Sequence, residues 1–373
     1  METKNASLLN VSSVGDLSFI KRLLDAVDIN AEDKDGNNAI HIAANANQVE
    51  VLKLLLENGA EVNAINNDGN SALHVAILAT SLECVGLLLD KQIKVNRFNN
   101  YKKSELMCAM QLKLVEPFKE KREKIIQMLI KKANIDLKAQ SDDSMTAFDG
   151  SNYLFYAIEC GNVFAVEQLL EKDITLCETK NKMHNYPIHK AVIQNQLDIL
   201  KMLISKNKID IDILGESGFT PLYNAVGKAK FHIIEYLVDQ NAKVNKQSNF
   251  GYTPLYRAID NYRECCMKGN TVCKYTSSLT VATMFEEKVA LFRKKCAFLA
   301  IAAFLIENGG ANIYLKTKVG ETALDLIASE NETVDILKIL YIQKPLNDKI
   351  NSLRNENKQL REEFNRIKMK FKK

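Results

Sequence analysis

The sequence predicts an all-α solenoid of stacked helix pairs, and three observations carry that prediction. A short phrase returns at a nearly constant period. It reads Asp35-Gly36-Asn37-Asn38-Ala39-Ile40-His41-Ile42-Ala43, then Asp68-Gly69-Asn70-Ser71-Ala72-Leu73-His74-Val75-Ala76, and later Gly218-Phe219-Thr220-Pro221-Leu222-Tyr223-Asn224-Ala225. Its Leu or Ile falls at Ile40, Leu73, Leu106, Leu154, Ile188, Leu222, Leu255 and Leu324, in steps of 33, 33, 48, 34, 34, 33 and 69 residues. Self-similarity at such a period marks a repeat array. Behind each phrase lies a run apolar at helical spacing, such as Val51, Leu52, Leu54, Leu55 and Leu56. Start and stop signals frame both segments.

Taken in order, Val14-Gly15-Asp16-Leu17 with Ile20, Leu23 and Leu24 reads as a helix of a terminal capping unit. A stack needs such a cap because an end unit cannot bury both faces. In each regular unit Asp-Gly forms a tight turn, where Gly tolerates positive φ. Thr-Pro then opens the first helix, Thr as N-cap and Pro at the first helical position, where its missing N–H costs nothing. The Leu and Ala that follow pack between units. The second helix stops at signals such as Asn58-Gly59. Repeats three and four are degenerate: Ser104-Glu105-Leu106-Met107-Cys108-Ala109 has Glu for Pro and Met for His, and Asn152-Tyr153-Leu154-Phe155-Tyr156-Ala157 keeps only the Leu and Ala spacing.

The phrase resembles the T-P-L-H-x-A signature of the ankyrin repeat, at that repeat's own period. The resemblance covers roughly residues 11–343. It implies helix-turn-helix units joined by β-hairpin loops, and a surface for holding partner proteins. The domain reading is a capping half-repeat at 1–30, an ankyrin repeat domain at 31–343 with insertions near 111–124 and 260–295, and a coiled-coil-like helix at 344–373.

Composition excludes several classes. The 46% apolar content suits a folded chain of 373 residues. Lys and Arg number 50 against 46 Asp and Glu, and residues Asp348 to Lys373 hold nine basic and four acidic residues. The repeats therefore carry no overall charge excess for nucleic acid, and no nucleic-acid partner is expected. Met1 to Asn10 lacks the apolar run of a secretory signal. Cys296 to Ile306 is too short to span a bilayer, so no membrane span is expected. Eight Cys, several at helical positions such as Cys84, Cys108 and Cys160, read as buried thiols of a cytoplasmic, reducing compartment.

Site chemistry is sparse. His41, His74 and His189 occupy the signature position, and no phosphate-binding loop or H-E-x-x-H is present. Cys265, Cys266 and Cys273 lack the pair spacing of a zinc site. The expectation is no enzyme, no metal and no cofactor. By position, the ankyrin resemblance assigns partner contacts to the hairpin tips and first helices: Lys34, Asn67, Asn100, Phe148, Lys182 and Glu216, with Phe148, Phe219 and Tyr252 as aromatic anchors. Leu346, Ile350, Leu353, Asn357, Leu360, Phe364, Ile367 and Phe371 follow a heptad. It reads as a homodimer seam with Asn357 fixing register, as a cap on the last repeat, or as a seam for another protein's helix. The function expected is a non-catalytic scaffold or adaptor for a protein partner of unknown identity, in the manner of a cytosolic adaptor or an effector of an intracellular microbe. The alternatives are an enzyme or recruiting subunit acting through the 260–295 insertion, and membrane or nucleic-acid association through the basic tail.

Overall fold

A computed structural model describes residues 2–91, 93–112, 118–131, 135, 137–138, 152–207, 209–267, 296–331, 333–339 and 341–342, with positions 345, 352 and 356. The chain divides into two compact units, Met1–Lys208 and Ile209–Lys373.

The first unit opens with a helix pair, α1 (Glu2–Val14) and α2 (Leu17–Leu23). Asp16 caps α2 by accepting the Phe19 N–H at 3.0 Å. Five further pairs follow: α3 (Ala39–Asn45) with α4 (Val49–Glu57), α5 (Ala72–Leu78) with α6 (Leu82–Asp90), α7 (Glu105–Gln111) with α8 (Phe118–Lys131), α9 (Tyr153–Glu159) with α10 (Val163–Lys172), and α11 (Pro187–Ile193) with α12 (Leu197–Asn207). First helices pack on first helices and second helices on second helices, giving two layers. The layers close because the signature residues are buried. Ile40, Leu73, Leu106, Leu154 and Ile188 are at most 1% exposed, and Ala43, Ala76, Ala109, Ala157 and Ala191 are at 0%. Each such Leu or Ile side chain stabilises by about 1.5–3 kcal/mol, and Ala at the next contact lets the backbones approach. The predicted insertion near 111–124 begins at Gln111, the last residue of α7, and its residues from Phe118 onward form the first turns of α8, a second helix of 14 residues.

The second unit contains α13 (Pro221–Gly227) with α14 (Phe231–Asp239), then α15 (Pro254–Met267) and α16 (Ala297–Glu307). Thr220 caps α13 by accepting the Tyr223 N–H at 3.1 Å, and Thr253 does the same for Tyr256 at 3.1 Å. Phe231 of α14 meets Phe304 of α16 edge-on, at 5.1 Å between centroids. In the predicted 260–295 insertion, residues 260–267 are helical and extend α15 to 14 residues. That extension carries Tyr262, fully buried, whose hydroxyl donates to Glu330 at 2.6 Å. Residues 268–295 lie outside the described residues. The last signature, at Leu324–Ile327, forms a 3-10 turn. It lacks Pro, and Thr322 is bonded instead to Asp325.

The connecting loops are tight hairpin turns, each closed by a backbone bond, such as Asp33 N–H to the Asn37 carbonyl (2.9 Å), Asn66 N–H to that of Asn70 (3.0 Å) and Asn99 N–H to that of Lys103 (3.1 Å). Among the described residues the strand-like pairing is an isolated bridge between Ile65 and Ser71. Backbone bonds also link successive turns, as from Asn67 N–H to the Asp35 carbonyl at 3.1 Å, and side chains add to them. Asn66 accepts the N–H groups of Asp68 (3.1 Å) and Asn70 (3.0 Å), and its amide reaches back to Asn37 at 2.9 Å. Asn99 repeats this one unit on, donating to Asn70 at 2.8 Å. Gly36 and Gly69 (φ +74° in both) close these turns, and an added Cβ would sit 2.6 and 2.7 Å from the side-chain oxygens of Asn67 and Asn100.

Candidate protein-binding surface

The signature His positions decide what each unit presents. In the first unit the ring is internal. His41 Nε2 lies 3.1 Å from the Asn70 carbonyl and His74 Nε2 lies 3.2 Å from that of Lys103, each stapling one repeat to the next. His189 accepts the Tyr186 N–H at 3.3 Å. Burial lowers the His41 pKa and takes that of His74 to about 4. These imidazoles are structural.

Two consecutive repeats of the second unit carry Tyr at that position. Tyr223 stacks on Phe219 at 4.2 Å with planes 6° apart, and Tyr256 stacks on Tyr252 at 4.8 Å and 10°. Phe250, 49% exposed, tilts against Tyr252 at 5.7 Å. The lower rings are buried, and burial pushes the Tyr223 phenol up to about 12 and raises that of Tyr256. Phe219 and Tyr252 are half-buried and form the outer face. Because α13 packs on α15, the two stacks lie in neighbouring repeats. Tyr223 feels the charges of Arg257 and Asp260. Asp260 binds Arg257 at 3.4 Å and Arg263 at 3.0 Å. The result is a row of flat apolar faces edged by guanidinium donors, chemistry suited to gripping another protein's side chains.

The other predicted contacts divide. Lys34, Lys182 and Glu216 are exposed at turns. Asn67 and Asn100 are exposed too, but their amide groups donate to the carbonyls of Lys34 (3.1 Å) and Asn67 (2.8 Å), which fastens successive tips. Their donors serve the stack. Phe148 lies outside the described residues, as do the dimer-seam residues Ile350, Leu353, Asn357, Leu360, Phe364 and Ile367. Sequence reasoning missed Tyr223, Tyr256, Arg257 and Asp260. The available signal was Tyr in place of His after Thr-Pro-Leu, in two repeats running.

One cluster has catalytic residue types without catalytic geometry. Ser71 Oγ lies 3.0 Å from His74 Nδ1, and Glu105 Oε1 lies 3.9 Å from that same nitrogen. A hydrolytic triad needs Ser and acid on opposite ring nitrogens. Here Ser71 is the helix cap of α5, and all three side chains are buried. Among the described residues no group of three or more His, Cys, Asp or Glu could hold a metal ion, and no helix is long and apolar enough to cross a membrane.

Stacked two-layer helix pairs, with turn residues stapling one repeat to the next, define a helical repeat protein. A family model described as ankyrin repeats matches residues 8–99, 115–215 and 188–268, more than half of the chain, which belongs to the ankyrin repeat family. Alpha-latrocrustotoxin-Lt1a of Latrodectus tredecimguttatus is 30% identical over 69 residues, 18% of this chain and 5% of its own length. Ankyrin repeat domain-containing protein 53 of Homo sapiens is 28% identical over 131 residues, 33% of this chain and 24% of its own. The chain thus spans a quarter or less of these curated relatives. The crystal structure of the ankyrin repeat domain of Bcl-3, a member of the IkappaB protein family, superposes with a TM-score of 0.52 at 19% identity, covering 61% of this chain and 97% of that one. That likeness is one of fold. Ankyrin repeats are protein–protein interaction modules.

Proposed function

We propose that this chain is a non-catalytic scaffold that captures a partner protein on the aromatic row of its second unit. The observation that carries the reading is the pair of ring stacks, Phe219 on Tyr223 and Tyr252 on Tyr256, in consecutive repeats. A buried Tyr beneath each half-exposed ring fixes the outer ring, so little side-chain entropy is lost on contact. Arg257 and Arg263 supply donors at the edge. The buried, unpaired thiols Cys84, Cys108 and Cys177 fit a reducing, cytoplasmic setting, and burial raises their pKa values to about 12, 11 and 11.

The test is a pull-down from cytosolic lysate, with retained proteins identified by mass spectrometry. The intact chain is compared with Phe219→Ala/Tyr252→Ala, shown by circular dichroism to be folded. Loss of about tenfold or more in affinity for a retained partner is expected, the scale of one anchor residue. A partner held equally by both proteins would remove the aromatic row from the reading. Capture of no partner by the intact chain would remove the scaffold itself.

A further inference from the structure

The first unit carries a second surface that shares no residue with the aromatic row. The loop from Lys91 to Lys103 contains Lys91, Lys94, Arg97, Lys102 and Lys103 and no Asp or Glu. The near balance of the whole chain hides this local excess. Two aromatic rings stand out of the same loop, Phe98 at 47% exposure and Tyr101 at 62%, and Ile65 of the preceding turn is 45% exposed. Ile65 and Phe98 hold equivalent places, each eight residues before its signature Leu.

Exposure here does not come from a loose loop. Lys94 N–H donates to Asn63 Oδ1 at 2.9 Å, and Arg97 Nη1 donates to the Asn63 carbonyl at 3.0 Å. Asn99 reaches Asn70 at 2.8 Å, and the Asn100 N–H reaches the Asp68 carbonyl at 2.8 Å. The Tyr101 hydroxyl donates to Asp68 at 3.3 Å. Each bond ties this loop to the turn before it, where the bridge from Ile65 to Ser71 fixes the Ile65 backbone. Holding large apolar groups in water on a rigid frame gains nothing for the stack. It does lower the entropic cost of binding something there. Lys91, Lys94 and Lys102, all exposed, set the sign of that something.

The geometry points to a docking surface for an acidic linear peptide segment of a partner protein, its aliphatic or aromatic residues on Ile65, Phe98 and Tyr101 and its carboxylates toward Lys91, Lys94 and Lys102. Single-stranded nucleic acid would use the same rings and charges. It is disfavoured because Ile65, one of the three exposed apolar groups, offers no flat face for a base to stack on.

The experiment is selection from a displayed library of random linear peptides on the full chain, followed by affinity measurement at low and high salt. Each selected peptide is re-measured on Phe98→Ala/Tyr101→Ala and on Lys91→Glu/Lys94→Glu. All four positions are exposed, and unchanged thermal unfolding certifies the fold. The expected peptides are rich in Asp and Glu with an interspersed apolar residue. They should lose about tenfold or more on both variants and weaken as salt rises. Peptides without acidic enrichment, peptides indifferent to either variant, or an empty selection would overturn the assignment. So would an oligodeoxythymidine strand that binds more tightly than the selected peptides.

Discussion

Replacing Glu105 by Gln should change how stability depends on pH. Glu105 stands at the first position of α7, where Pro stands in the regular repeats, and it is 2% exposed. Its carboxyl accepts the Arg97 N–H at 3.4 Å and lies 3.9 Å from His74 Nδ1. Burial raises its pKa from 4.5 to about 7 and lowers that of His74 from 6.5 to about 4. Near pH 6 both groups are neutral, so this contact is no salt bridge. His74 Nε2–H then donates to the Lys103 carbonyl, leaving Nδ1 to accept from Ser71. The signs are opposite. The folded state keeps the Glu105 proton that the unfolded chain releases, so stability falls as pH rises from 4.5 through 7. The folded state refuses the His74 proton that the unfolded chain takes up, so stability falls as pH drops from 6.5 through 4. Each shift, at 1.36 kcal/mol per pH unit, is worth about 3 kcal/mol. In the parent the two slopes nearly cancel between pH 4.5 and 6.5. Glu105→Gln removes one of them, so the variant should gain about 3 kcal/mol relative to the parent between pH 4.5 and 7.5. Urea denaturation followed by far-UV circular dichroism at several pH values measures it, as a relative midpoint shift of about 1 M at a slope of 2–3 kcal/mol per M. A variant-minus-parent difference that stays constant with pH would refute the reasoning.

Three other outcomes follow from particular residues. Gly69→Ala should cost about 1–2 kcal/mol in urea denaturation, since φ is +74° and Asn100 crowds the new methyl. Replacing residues 260–267 with a Gly-Ser linker should lower stability by about 3–5 kcal/mol in urea denaturation, because it removes Tyr262 and its bond to Glu330. Removing residues 345–373 should halve the mass measured by light scattering if the heptad seam dimerises, and an unchanged mass would reject the dimer.

The ankyrin fold was legible because its instructions are local. The period, the Asp-Gly turns, the Thr-Pro starts and the Leu–Ala spacing each lie within a few residues, and the same two-layer stack follows wherever they recur. Even the degenerate repeats kept enough of this pattern, and α7 and α9 form where Leu106 and Leu154 predict them. The extent of α15 was not legible. Residues 260–267 read as part of an insertion, yet they continue the helix, because Tyr262 finds a partner 68 residues away in Glu330.

The candidate surfaces divide along the same line. The sequence by itself determined the family, the repeat register and the positions that can face a partner, because burial at a fixed period leaves the others outside. It also marked Phe219 and Tyr252 as aromatic positions. Only the tertiary structure decided that each lies on a second ring, that the amide donors of Asn67 and Asn100 are taken by the preceding turn, and that Glu105 meets His74. It alone showed Phe98 and Tyr101 held out rigidly beside Ile65. The ring stacks form within a repeat, between residues four apart on one turn and helix start. The Asn ties and the meeting of Glu105 with His74 arise between repeats, from side chains about 30 residues apart brought within a few ångströms by stacking, and no local rule of propensity or spacing encodes which atoms then meet.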